Sequence, residues 1–287
     1  MDWVTGIQRA LDYIEAHLDG EIRIAEASRC AACSEFYFQR IFGILCGISL
    51  GDYIRARRLT LAGSELRTSD AKVIDVALKY GYESPESFTR AFSRFHGITP
   101  SEAKKDGAAL RSFSRLSVKI TLSGGSIMDY RIIEKEAFDI IERTERHSMD
   151  SKENAVSIPA FWTRARADGT LSRLSALAAD DRLLGICYAS SNGEETMEYS
   201  IAAACGADTA VPEGFHLRTI PARTWAVFAC RGAMPDAIQQ LWHRICGEFF
   251  PASGYRPTCE LDIEVYFPGD MSSPDYRSEI WIPVTAE

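Results

Sequence analysis

The segment at residues 34–49 returns at residues 84–99, and that repeat limits the folds open to this chain more than any other feature. Ser34, Phe38, Arg40, Phe42, Gly47, Ile48 and Ser49 recur as Ser84, Phe88, Arg90, Phe92, Gly97, Ile98 and Thr99. Upstream, Ile24 and Ala27 recur as Ile74 and Ala77. Nine matches at one offset mean that the same small unit is built twice. Each copy reads as helix, tight turn, helix. In the first, Ile22, Ile24 and Ala27 give the apolar stripe of a short helix, and Ser34 caps the next. Phe38, Ile41, Phe42 and Leu45 then fall at helical spacing as a buried face, and Gly47 supplies a left-handed end. In the second, Val73, Val76, Ala77 and Tyr80 make the first helix, Gly81-Tyr82 the turn and Ser84-Pro85 the cap. Phe88, Ala91, Phe92 and Phe95 pack inward.

These stripes leave Glu35, Phe36, Gln39 and Arg40 outward in the first unit, and Glu86, Ser87, Thr89, Arg90 and Arg94 in the second. Gln and Arg near a helix start can pair bidentately with adenine and guanine edges, with flanking groups on phosphates. The bland alternative is a solvated charged face, and the return of Arg40 as Arg90 weighs against it. Residues 50–66 read as one long helix carrying Arg55, Arg57 and Arg58, which spaces the two readers. Two readers on one chain suit successive major grooves about 34 Å apart. Double-stranded DNA is therefore the expected partner, and one chain suffices for a non-palindromic site.

Composition narrows the field. An apolar content of 46% in 287 residues suffices for two packed domains. The net charge of −8 splits into −1 over residues 1–110 and −7 over 111–287, which excludes a nonspecific nucleic-acid binder. Any DNA affinity must come from a local basic face. There is no run of 18 apolar residues and no export signal in Met1-Asp2-Trp3-Val4-Thr5, so the expectation is a cytoplasmic protein that does not meet the membrane. The eight cysteines are then expected to be reduced. Cys30 and Cys33 have suggestive spacing, but a zinc site needs about four ligands and only Cys46 lies near. No metal or cofactor is expected. A redox role for the Cys30/Cys33 pair would show as DNA binding lost on oxidation and restored by reductant.

After Lys104-Lys105 the pattern changes. Residues 106–114 are small and polar, and Leu116, Val118, Ile120 and Leu122 alternate as in a strand at 116–122, followed by a Ser123-Gly124-Gly125-Ser126 break. The expected division is a DNA-binding domain at 1–107, a linker with a strand at 108–127 and a second domain at 128–287. That domain reads as α+β with antiparallel strands near 130–134, 137–144, 183–189, 196–204, 216–221, 224–230, 259–267 and 277–284. One helix is expected to start near Ile158-Pro159 and a second to run from Pro235 to Phe250, with Ile238, Leu241, Trp242, Ile245 and Phe249 as its core stripe. The order suggests two similar halves. The fold class is thus multidomain: an all-α region with two helix-turn-helix units joined by a long helix, then an antiparallel α+β domain.

Residues 7–105 resemble the DNA-binding domain of the AraC/XylS family of bacterial transcription regulators. The resemblance is carried by Ala77-Leu78-Lys79-Tyr80-Gly81-Tyr82-Glu83-Ser84, Phe88, Phe92 and Gly97-Ile98-Thr99-Pro100-Ser101. It implies base readers at Phe36, Gln39 and Arg40, then at Pro85, Glu86, Ser87 and Arg90. Ala31-Ala32 stands where the family places glycine, which implies local strain if that residue is left-handed. Pro85 and Glu86 stand where longer polar readers often occur, so the second helix is expected to position the protein more than to read bases.

Ile158-Pro159-Ala160-Phe161-Trp162, Gly185-Ile186-Cys187-Tyr188, Trp225-Ala226-Val227-Phe228, Asp262-Ile263-Glu264-Val265-Tyr266 and Glu279-Ile280-Trp281-Ile282-Pro283-Val284 occur in that order. Together, over about 128–287, they resemble the GyrI-like effector-binding domain. The resemblance implies an aromatic cleft around one acidic residue, Glu264, that takes bulky, often cationic, organic molecules. The residues agree with it. On 259–267, Leu261, Ile263, Val265 and Phe267 share one face and Glu260, Asp262, Glu264 and Tyr266 the other. A buried carboxylate needs compensation, and aromatic walls with a carboxylate suit an organic cation. Phe161, Trp162, Tyr188, Tyr199, Trp225 and Trp281 are the candidate walls, beside Tyr266.

The expected function is a regulator whose effector biases DNA binding or contact with RNA polymerase. The alternative is a hydrolase of small compounds such as cyclopropanes, with Glu264 as general base. Fusion to a DNA reader argues against turnover, so no catalytic residue is expected.

Overall fold

The computed structural model describes residues 3–117, 127–148, 151–189, 196–258 and 260–286. Its first helices are α1 (Trp3–Ala16), α2 (Ile24–Cys30), α3 (Glu35–Cys46), α4 (Leu50–Thr68), α5 (Val73–Lys79), α6 (Pro85–His96) and α7 (Pro100–Ala103). Their ends follow local chemistry. Ser34, Ser49, Ser84 and Thr99 hold extended backbone, and their hydroxyls accept the amides of Tyr37, Asp52, Ser87 and Glu102. Gly47 and Gly97 close α3 and α6 in the left-handed region, at φ 66° and 81°. The turn after α2 does without glycine. Ala32 takes φ 53°, a strain of about 1 kcal/mol that the absent glycine foretold.

The described residues form two compact units, 3–32 with 48–117 and 33–47 with 127–286. Helix α3 thus belongs to the second unit. In the first, α4 carries a core of Leu59, Ala62 and Leu66 against Val76, Ala77, Tyr80, Phe88, Phe92 and Ala103. Helix α1, which lies outside the repeat, buries Ile7, Ala10, Leu11 and Ile14 at helical spacing. Arg57 Nε and Nη2 donate to the two oxygens of Glu15 at 2.9 and 2.8 Å, and the Tyr53 hydroxyl donates to Oε1 at 2.6 Å. A buried bidentate pair therefore ties α1 to α4. Arg58 donates to the Leu18 and Gly20 carbonyls. Of Arg55, Arg57 and Arg58 on the long helix, only Arg55 is exposed.

His96 is buried where α6 crosses Gly63 of α4, and a Cβ on Gly63 would lie 2.8 Å from the imidazole. Its Nε2 meets the Leu59 carbonyl at 2.9 Å, while Nδ1 accepts the Arg111 amide at 3.2 Å. That set of partners requires the neutral ring with its proton on Nε2.

In the second unit the strands are β1 (Tyr130–Lys135), β2 (Phe138–Ser148), β3 (Leu183–Tyr188), β4 (Thr196–Ala204), β5 (His216–Ile220), β6 (Arg223–Arg231), β7 (Tyr255–Pro257), β8 (Leu261–Tyr266) and β9 (Arg277–Ala286). They form an antiparallel sheet in the order β1-β6-β9-β8-β3-β4-β2-β5, with β7 paired to the end of β9. The strand β1 leads into β2 yet pairs with β6, and β5 leads into β6 yet pairs with β2. The centre of the sheet is β8 beside β3.

Several elements differ from the expectation. Helix α8 (Ser151–Ala167) starts well before Ile158 and carries Pro159 in its interior, so that proline marks one lost hydrogen bond and not the helix start. Helix α9 (Thr170–Leu177), entered through Gly169 at φ 78°, and the short β7 were not foreseen. Helix α10 (Asp236–Arg244) passes into a π-helical turn (Ile245–Phe249) and α11 (Phe250–Ala252), in place of one regular helix to Phe250. Of the strand expected at 116–122, Leu116 and Ser117 are not in a strand and the rest lies outside the described residues. No described helix is long and apolar enough to cross a membrane.

Burial pushes the His96 pKa below its ordinary value, and Arg111 adds to this against the Leu59 hydrogen bond. The unfolded chain then binds the extra proton first, so His96 contributes stability above about pH 6.5 that is lost as the pH falls toward the lowered folded value. Chemical denaturation between pH 7.5 and 5 should show the midpoint of the helical unit falling with acid, and a smaller slope in His96→Gln.

Candidate functional site

The register of the central strands sorts side chains by face. Glu264 pairs with Gly185 and Ile280, and Asp262 with Cys187, which places these residues and Tyr266 on one side of the sheet. Leu261, Ile263 and Val265 point to the other side and join a core with Tyr188, Trp225 and Trp281. Helices α8 and α10 lie on the Glu264 side, shown by Trp162 of α8 against Tyr266 and by Trp242 of α10 on Glu264.

On that side each Glu264 oxygen accepts a hydrogen bond. Trp242 Nε1 donates to Oε1 at 2.9 Å, and the Tyr266 hydroxyl donates to Oε2 at 2.7 Å. Trp162 Nε1 donates to the Tyr199 hydroxyl at 3.0 Å, and its ring meets Tyr266 edge-on with centroids 5.0 Å apart. Gly185 is the residue beneath them. Any Cβ there would collide with the Tyr199 hydroxyl, so the bare backbone lets the two tyrosines close over Glu264. Burial, with Glu264 nearby, holds the Tyr199 and Tyr266 hydroxyls far above the ordinary tyrosine pKa, so both remain neutral donors.

The same face holds a cation from the chain itself. Helix α3 packs against α8, α10 and the π-helical turn. Arg40 Nη2 donates to Asp262 Oδ1 at 2.9 Å, Nη1 approaches Cys187 Sγ at 3.2 Å, and the guanidinium carbon lies 4.8 Å from the Trp242 ring centroid. Asp262 is only 2% exposed. Burial pushes its carboxyl up to about 7, against the pull of Arg40 and with a further push from Glu264. Burial also works against the Arg40 charge, but Asp262 leads the anionic neighbours that hold the guanidinium firmly protonated. Burial raises the Cys187 thiol to about 12, which leaves it a neutral, weak acceptor.

The structure thus brings together Glu264, Tyr266, Trp162 and Tyr199 from the expected set, and adds Asp262, Trp242 and Cys187. Phe161 of α8 is fully buried, with its ring against His147. Tyr188, Trp225 and Trp281 are not walls of the Glu264 cleft, because strand alternation sends them to the opposite face. There Tyr188 donates to Glu142 at 2.7 Å beneath the Arg218 guanidinium, and Trp281 donates to Glu279 at 2.8 Å beside Trp225. Asp262 was visible two residues before Glu264 on the same strand face. Trp242 was assigned to the core stripe, although a buried indole N–H needs an acceptor, and that requirement was the available signal.

The DNA-reader candidates divide in the same way. On α6, Glu86, Arg90 and Arg94 are exposed, while the Ser87 hydroxyl donates to the Ser84 carbonyl at 2.9 Å. On α3, the outward placement expected for Phe36 and Arg40 is corrected. Phe36 is 4% exposed and the Arg40 side chain 17%, and Gln39 is half-buried. Both sides of α3 carry apolar residues, so burial of Phe38, Ile41 and Phe42 does not leave the other side free. Cys30 ends α2 and Cys33 lies in the turn that follows, both half-buried.

The chain thus joins a helical N-terminal region to an antiparallel sheet whose helix-covered face gathers carboxylates and aromatic side chains. Residues 131–284 match the integron-associated effector binding protein family, and residues 27–106 match a helix-turn-helix domain. The chain belongs to that effector-binding family, as an AraC-type transcription regulator with a GyrI-like domain. It is 39% identical over 102 residues to the transposon Tn10 TetD protein of Escherichia coli, covering 36% of this chain and 74% of TetD. It is 40% identical over 96 residues to the regulatory protein SoxS of Escherichia coli (strain K12), covering 33% of this chain and 90% of SoxS. Among solved structures, the SAV2435 protein bound to tetraphenylphosphonium is 24% identical with a TM-score of 0.49, over 55% of this chain and 94% of that one.

Trp242→Phe keeps the ring and deletes the N–H that Glu264 accepts. Loss of a hydrogen bond to a carboxylate should lower the unfolding free energy by about 1.5–3 kcal/mol, read by urea denaturation. A change within error would mean that Glu264 does not need this donor.

Proposed function

We propose that this regulator binds a bulky aromatic cation at Glu264, and that the occupied cleft biases its action on DNA. The observation that carries the reading is a carboxylate held in a cleft of Trp162, Tyr199, Trp242 and Tyr266 that already seats a guanidinium over an indole face. Such a cleft offers a negative charge, apolar contact area and cation–π faces together. Each Glu264 oxygen already accepts a hydrogen bond, so the carboxylate is held in a fixed orientation toward its neighbours. The matching orders β2-β4-β3 and β6-β9-β8, each with helix between its first strand and its hairpin, support two similar halves meeting at β3 and β8.

On the DNA side, the reading is of two helix-turn-helix units within a domain at 1–107, joined by α4 and followed by the effector domain at 128–287. Support comes from the paired capped helices α3 and α6 and from the exposed Arg90 and Arg94. Helix α6 would engage DNA through Glu86, Ser87, Arg90 and Arg94, and α3 would offer Gln39, joined by Phe36 and Arg40 only when those side chains leave their buried positions. DNA is one partner and the small molecule the other, with RNA polymerase a further contact for the bound complex.

Two measurements test this. A thermal-shift screen of aromatic cations should raise the melting temperature of the wild type by mass action, with the hits lost in Glu264→Gln. Hits unchanged by that substitution would move the ligand away from this carboxylate. For DNA, a site selected from a random duplex library should bind Arg90→Ala about tenfold or more weakly at fixed salt. Equal affinity would remove α6 as a DNA-contacting helix.

A further inference from the structure

Arg40 is an imperfect occupant of its place. Its Nη2 makes one hydrogen bond to Asp262, its Nη1 meets only the weakly accepting Cys187 sulfur, and its buried Nε has no partner among the described residues. A guanidinium gains most from a carboxylate when two parallel N–H groups face the two oxygens. The backbone of α3 fixes how Arg40 can approach, and the result is a single bond. The remaining features are those that select planar nitrogen cations: a nearly inaccessible carboxylate and an indole face 4.8 Å from the guanidinium carbon. A compact ammonium would lose the stacking that this face offers.

We propose that Asp262, with the face of Trp242, is a seat for an amidinium or guanidinium group of the effector, that Arg40 fills this seat in the absence of ligand, and that the ligand binds by taking Arg40's place. The proposal rests on the cleft being an effector site, and it adds the ligand group and the residue that receives it. Glu264 follows on the same strand face about 7 Å away, flanked by Trp162 and Tyr266. An amidine on an aromatic ring matches this layout: the cationic head replaces Arg40, and the ring lies along the aromatic side chains toward Glu264. Both head groups need the same Trp242 face beside Asp262, so ligand and Arg40 exclude each other. Arg40 also occupies a base-reader position of α3. Ligand binding therefore favours the arrangement in which that side chain is free, and DNA that engages Arg40 favours ligand in return.

The test is calorimetric titration of the full chain with benzamidine, using neutral benzamide as the control. Arg40→Ala should bind benzamidine at least tenfold more tightly than the wild type, and benzamide should bind neither. Adding Asp262→Asn to Arg40→Ala should abolish the gain. Arg40→Lys retains a charge in the cleft and guards against loss of folding. It should also gain affinity, because it gives up the planar fork. Equal benzamidine affinity in wild type and Arg40→Ala, no binding to a folded Arg40→Ala, or a gain that survives Asp262→Asn would each overturn the seat. Benzyltrimethylammonium, which has no N–H group to offer Asp262, separates the two readings. Its Glu264-dependent binding sustains the effector site even where the benzamidine result removes the seat, and its failure counts against the effector site alone.

Discussion

Taking a carboxylate out of water costs several kcal/mol even after the protein relaxes, and the sheet unit places two on adjacent same-face positions of its central strand. Asp262 and Glu264 meet that cost differently. Glu264 is compensated by neutral donors, the Trp242 indole and the Tyr266 hydroxyl, whose own ionisation is suppressed by burial. Asp262 is compensated by a full positive charge from α3. The first arrangement uses only uncharged donors, and the second a guanidinium. The surrounding details follow from this. Gly185 has no side chain so that Tyr199 and Tyr266 can approach, and Trp242 lends its edge to one carboxylate and its face to the cation on the other.

The helical unit solves a milder problem with similar means. Its deeply set ion pair of Arg57 with Glu15 is bidentate and supplemented by the Tyr53 hydroxyl, so α1 is fixed on α4 by geometry as well as by charge. The contrast between Arg57 and Arg40 is informative. Arg57 is fully engaged by a carboxylate and belongs to the scaffold, whereas Arg40 makes one good bond and leaves Nε idle.

Much of the architecture was legible because its signals are local. The serine caps, the glycine ends of α3 and α6, the strained Ala32 turn and eight of the nine described strands all follow from residues a few positions apart. The face of β8 that bears Glu264 was legible for the same reason. What escaped is non-local or atypical. Tyr188, Trp225 and Trp281 have the composition of cleft walls, but their face is set by pairing with β8 and β9 rather than by their neighbours in sequence. The early start of α8 was masked by Pro159, which reads as a helix beginning. The burial of Phe36 and Arg40 could not be read at all. Helix α3 carries apolar residues on both sides, and nothing local reveals that α8, α10 and the π-helical turn pack against it.

The exchanged edge strands bear on how a ligand can enter. Because β1 reaches across to β6 and β5 reaches back to β2, each margin of the sheet is stitched by the segment that introduces the opposite side. The seam between β3 and β8, directly beneath Asp262 and Glu264, cannot part without both stitches coming loose. The floor beneath Asp262 and Glu264 is therefore a doubly tied seam, and the side chains that surround these carboxylates come from the face that carries α8 and α10.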